Sequence, residues 1–228
     1  MFSLKHKQMQ NSNHKIRRPS DSFLTNLFAR SVSVRISPLV AKTQITPLQV
    51  TIIGLLIGLG AAWIGSKPIW YYGLVAALLM EISHVLDCVD GELARLTDRG
   101  NPFAASLDPI SDRIKDIAII YTAYLQSLHY KILNLSEFQI SAITLFTIGL
   151  WFLYMYIVDA FLNPAKNKKT QKTGTESSQI YLGLYDLFIY GSIMFWILHI
   201  FRYFIVYIFC ISLVGTLIQI MRLKNLLR

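Results

Sequence analysis

Apolar residues along this chain gather into long runs. Residues 43–66, 138–158 and 203–221 carry no Asp, Glu, Lys or Arg. A helix needs about 20 apolar residues to cross the hydrocarbon core of a bilayer. Three more segments, 68–95, 103–128 and 179–200, are apolar but interrupted, mainly by carboxylates. Lipid offers no partner to an unpaired backbone group, so helices are expected. The pattern predicts an all-α polytopic membrane protein with six spans, near 46–65, 68–95, 103–127, 138–162, 179–199 and 202–221.

Two stretches precede the spans. Residues 1–20 are polar and basic and read as a flexible arm. Residues 21–42 read as an amphipathic juxtamembrane helix. Ser20, Asp21 and Ser22 offer caps, and Leu24, Leu27, Phe28, Val32, Ile36 and Leu39 recur at helical spacing. Arg30 and Arg35 suit a helix lying in the membrane interface; packing on the other helices is the alternative. Pro38 is the expected break. Thr46 and Pro47 form a good start for the first span. Residues 43–228 are then a single six-helix domain, with a polar loop over 163–178 and no internal repeat.

Composition agrees with this reading. The chain is 54% hydrophobic and only 15% charged, against roughly 25% charged in soluble domains. The net charge of +9 is placed unevenly. If the amino end is cytoplasmic, seventeen Lys and Arg fall on that side and three on the other, with Arg113 and Lys115 inside a span. This bias predicts both termini on the cytoplasmic side. Basic residues at membrane edges argue against nucleic acid as the partner and for the lipid bilayer and anionic substrates. Residues 1–42 show no apolar stretch of the signal-peptide kind. Cys88 and Cys210, on different spans, make no disulfide framework.

The acidic residues carry the chemistry. Of thirteen, six fall between Asp87 and Asp112. Asp87 and Asp90 share one helix face with Gly91 and Ala94. Ala104, Asp108 and Asp112 share another. A short turn joins the two helices, so they are antiparallel neighbours and the carboxylates face each other near one end of a hairpin. Four converging carboxylates at membrane depth need compensation. Divalent cations with hard oxygen ligands provide it, and Mg²⁺ uses a few carboxylates plus substrate phosphates. Paired metals about 3.5–4 Å apart serve phosphoryl chemistry. Arg95 can fork onto a phosphate. Gly91 and Ala94 leave the backbone bare for a bulky ligand. On these residues alone, a divalent-cation transporter or metal-binding membrane protein is the rival reading.

The spacing D-x2-D-G-x2-A-R-x8-G-x3-D-x3-D resembles the motif of the CDP-alcohol phosphotransferases, also called CDP-alcohol phosphatidyltransferases. Asp87, Asp90, Gly91, Ala94, Arg95, Asp108 and Asp112 match it, and Ala104 stands where the family has glycine. The stretches DGELARL from Asp90 and RISPLVAKTQITPLQVT from Arg35 are similar to the branch acting on inositol phosphates. The resemblance implies transfer of a substituted phosphate group from a CDP-alcohol to the hydroxyl of an acceptor alcohol, with release of CMP, as in phospholipid or polar-alcohol phosphodiester synthesis. It implies two divalent cations, Mg²⁺ first and Mn²⁺ next, on Asp87, Asp90, Asp108 and Asp112, with Asp112 also the base. Gly91, Ala94, Arg95 and Ala104 would contact the CDP portion. Lys166, Lys168, Lys169 and Lys172 are candidates for an acceptor phosphate. The donor would be CDP-diacylglycerol or a CDP-inositol-like molecule, the assembly a homodimer, and the site cytoplasmic.

Overall fold

The computed structural model describes residues 22–97, 99, 102–162 and 183–226. All its regular elements are helical. They are α1 (Phe23–Leu27), α2 (Ala29–Val40), α3 (Pro47–Gly65), α4 (Trp70–Thr97), α5 (Pro102–His129), α6 (Glu137–Ile157), α7 (Leu184–Ile197) and α8 (Phe204–Leu226). Short 3₁₀ turns precede α6 and α8, and a π turn over Val158–Leu162 extends α6.

Local chemistry sets the helix starts. Thr46 and Gln49 form a reciprocal capping box at α3, with Pro47 in the first turn. Ser136 and Gln139 repeat the device at α6. Helix α1 is capped from outside. Asp186 of α7 accepts from Leu24 N at 3.0 Å and Thr25 Oγ1 at 2.9 Å, and Ser22 Oγ also donates to it. That carboxylate satisfies a backbone donor which the first turn leaves without an intrahelical partner. The Pro38 break is a correction: Pro38 lies inside α2, which runs on to Val40.

Helix α3 packs on both α4 and α5, α2 and α7 lie against α4, and α6 packs on α8 and α5. The larger core centres on Trp151, Phe188, Trp196, Phe201 and Phe204, all fully buried. A smaller one joins Ala29, Val50, Val85, Val89 and Leu93 between α2, α3 and α4. Gly73 is required where α4 meets α7, because a Cβ there would lie 2.4 Å from the Trp196 carbonyl oxygen.

Four helices among the described residues are long and apolar enough to cross a membrane: Pro47–Gly65, Trp70–Thr97, Glu137–Phe161 and Phe201–Asn225. Their outer faces carry large side chains such as Trp63, Leu145, Phe146 and Phe138, the last 81% exposed. Covering one such group is worth about 1.5–3 kcal/mol, so a bilayer around these faces stabilises them. The expected third and fifth spans are helices too, but differ from the other four. Helix α5 has the length, yet Asp108, Asp112, Arg113, Lys115 and Asp116 fill its first half. Helix α7 is 14 residues long.

Helix α2 turns three polar side chains inward beside its apolar contacts. Arg30, Ser33 and Ser37 are buried, and all three donate to Glu92 of α4, at 2.6, 2.8 and 2.6 Å. Glu92 is itself fully buried. Phe28, Val32 and Leu39 face outward. The helix therefore packs on the bundle through these polar groups together with Ala29, Ile36 and Val40, and leaves Phe28, Val32 and Leu39 exposed.

Candidate active site

The site forms at the end of the α4–α5 hairpin. Asp87 and Asp90 stand three apart on α4, with Gly91, Ala94 and Arg95 continuing the same end of the helix. Ala104, Asp108 and Asp112 follow at intervals of four on α5. Ala104 is buried, while Gly91, Ala94 and Arg95 are half-buried. Pro109 lies between the two acids of α5 and lacks an N–H, so the helix loses one backbone bond beside the site. Arg99, in the turn, donates to the Thr43 carbonyl at 2.8 Å and ties the hairpin end to the entry of α3.

One oxygen from each of Asp87, Asp90 and Asp108 lies within 4.8 Å of the others. Asp90 is only 4% exposed. Thr51 of α3 donates to Asp90 Oδ2 at 2.5 Å, which fixes the carboxylate's orientation. Three carboxylates this close repel one another and are costly to bury without a counter-charge. All the donors are hard oxygens, which suits a small divalent cation. This set fits such an ion.

Asp112 takes a different partner. Lys115, one turn further along α5, brings Nζ to 2.9 Å from Asp112 Oδ1 and 3.2 Å from Asp87 Oδ1. Lys115 is 6% exposed. The lysine thus ties the fourth acid to the first. Beyond it, Asp116 is fully buried and accepts at Oδ2 from Trp151 Nε1 and from Arg113, both at 2.8 Å. The Trp151 bond anchors the acidic face of α5 to α6.

Lys166, Lys168, Lys169 and Lys172 lie outside the described residues. His84, two turns before Asp90 on α4, is buried and meets Thr25 Oγ1 at 3.2 Å. It belongs to the packing of α1 on α4. Sequence reading missed Thr51, Lys115 and Asp186. A hydroxyl in an apolar run gives no sign of its partner. Lys115 carried a sign, since a lysine one turn from Asp112 in a membrane segment calls for a buried counter-charge.

A bifunctional IPC transferase and DIPP synthase of Aquifex aeolicus is 34% identical over 100 residues, covering 44% of this chain and 22% of that protein. An archaetidylinositol phosphate synthase of Pyrococcus horikoshii is 36% identical over 87 residues, covering 38% of this chain and 45% of that protein. A phosphatidylinositol phosphate synthase of Corynebacterium glutamicum is 34% identical over 87 residues, covering 37% of each. The matches thus span less than half the length of each of these relatives. Residues 44–207, from the entry of α3 into the start of α8, match the sequence model of the CDP-alcohol phosphatidyltransferases, and the chain belongs to that family.

Proposed function

We propose that this chain is a membrane transferase that moves a substituted phosphate group from a CDP-alcohol to the hydroxyl of an acceptor alcohol and releases CMP. The observation that carries the reading is the cluster of Asp87, Asp90 and Asp108 oxygens within 4.8 Å of one another, on the two helices that also bear Arg95 and Asp112. Family membership supports the reaction class. The inositol phosphate lipid synthases among the relatives support an inositol-phosphate-type acceptor or donor. CDP-diacylglycerol and a CDP-inositol-like molecule are the two candidate donors.

In this reading Asp87, Asp90 and Asp108 hold a divalent cation, Mg²⁺ in the first place and Mn²⁺ in the second. The bound ion supplies positive charge against the phosphate oxygens during transfer. Arg95 forks onto the diphosphate. Gly91, Ala94 and Ala104 flank the CDP portion with small side chains, so it can lie close to both helices. The acceptor oxygen forms a bond to the alcohol-bearing phosphorus, and the bond from that phosphorus to the bridging oxygen breaks. Asp112 takes the acceptor's proton as its oxygen attacks. The electron pair leaves with CMP. The second cation expected at Asp112 meets Lys115 there.

In this reading residues 43–228 are the catalytic domain and residues 21–42 the juxtamembrane helix before it. Lys and Arg favour termini and site on the cytoplasmic side, and a homodimer is the assembly that the resemblance implies. Purified protein tests the reaction directly. CDP-diacylglycerol and CDP-inositol are each offered with Mg²⁺ and a panel of polar alcohols and their phosphates, and CMP is measured. CMP release that depends on an acceptor supports the reading. Metal flux into liposomes without CMP from any pair would replace it with a cation transporter.

A further inference from the structure

Lys115 brings a fixed positive charge into the acidic cluster. Its stem has a built path. Gly58 of α3 lies beside it, and a Cβ at that position would come 2.9 Å from Lys115 Cδ and 2.8 Å from Ser83 Oγ. The bare backbone of α3 thus leaves room for the aliphatic chain to reach the site from below. At the end of that path the ammonium meets two oxygens, Asp87 Oδ1 and Asp112 Oδ1. A second cation bridging Asp87 and Asp112 would have to share those oxygens with it. The remaining acids keep their own arrangement, with Asp87, Asp90 and Asp108 converging as a set that does not include Asp112.

We propose that Lys115 takes the place of a second divalent cation, so that the site holds one metal ion and one resident ammonium. This rests on the metal reading given under Proposed function. One divalent cation and the ammonium leave the four carboxylates with a single net negative charge, whereas a second divalent cation would invert the sign. The ammonium also differs from a metal in what it does for Asp112. It holds Asp112 in an ion pair from a tethered position, so it steers the carboxylate without leaving with product. Lys115 is thereby a positioning residue for Asp112.

Counting bound Mn²⁺ by electron paramagnetic resonance, in full-length protein without substrate, tests this independently of turnover. The wild-type protein is expected to bind one Mn²⁺ per chain. Lys115→Met, which keeps the stem and removes the charge, is expected to bind two, and Lys115→Arg one. In the otherwise wild-type chain, Asp112→Asn should leave the count at one, because the ion does not use Asp112. This last variant decides the matter even where Lys115→Met does not fold. Two Mn²⁺ on the wild type would overturn the inference alone, as would one on a well-folded Lys115→Met. So would loss of the single bound Mn²⁺ in a well-folded Asp112→Asn. No Mn²⁺ on any of the proteins would overturn the metal reading and this inference with it.

Discussion

Thr51 Oγ1 donates to Asp90 Oδ2 at 2.5 Å, so a hydroxyl on α3 sets the orientation of an acid on α4. Both groups are buried. Outer-shell partners of this kind are typically worth about 10–100-fold in metal affinity. Thr51→Val keeps the shape and removes the donor. It should raise the Mg²⁺ concentration needed for half-maximal CMP release by about that factor, and Thr51→Ser should recover most of the loss. An unchanged Mg²⁺ dependence in Thr51→Val would remove Thr51 from the site.

Asp112 is predicted to act on turnover more than on binding. Positioned general bases contribute about 10²–10⁴-fold. Asp112→Asn should therefore lower kcat by about that range, while the donor nucleotide binds nearly as in the wild type. Single-turnover CMP release and equilibrium nucleotide binding, measured on the same preparation, separate the two effects. Full activity in this variant would take the base role from Asp112.

The Arg30–Glu92 pair is buried at both ends and 2.6 Å apart. Removing one partner from a buried pair strands the other, at a cost of about 3–5 kcal/mol. Glu92→Leu should lower the thermal midpoint of the detergent-purified protein strongly. A double replacement of Arg30 and Glu92 by Met should restore part of it, because no charge is left stranded. Equal midpoints for the single variant and the wild type would show that α2 is held by its apolar contacts alone.

Trp151 Nε1 and Arg113 share Asp116 Oδ2. Trp151→Phe keeps the stacking on Phe188, whose ring lies 4.1 Å away, and deletes only the hydrogen bond. Losing one donor to a buried charged acceptor costs about 1.5–3 kcal/mol. The thermal midpoint should fall accordingly, with a smaller change in the Mg²⁺ dependence than in Thr51→Val. A larger change in Mg²⁺ dependence would mean that Asp116 bears on the metal site directly.

Legibility in the sequence followed the range of the interactions. Charge-free runs reveal helices because lipid removes every other choice, so the α3, α6 and α8 regions were readable. The intervals among Asp87, Asp90, Asp108 and Asp112 put these acids on two facing stripes, since helix periodicity and a short turn are local. The partners of those stripes were not readable. Thr51 and Asp90 meet across two helices, and nothing local to either residue signals the other. Asp186 caps α1 from a helix far along the chain. The inward turn of Arg30, Ser33 and Ser37 on α2 was hidden for a similar reason: their partner, Glu92, lies on another helix.

In the proposed reaction the acidic cluster binds a divalent cation and uses it to release CMP. The most direct test is CMP release from a CDP-alcohol by the purified protein across a Mg²⁺ titration, with Asp90→Asn and Asp108→Asn beside the wild type. Release should depend saturably on Mg²⁺, stop in chelator, and fall at least about 10²-fold in each variant. CMP release that persists in chelator, or that survives in both variants at the wild-type rate, would contradict it.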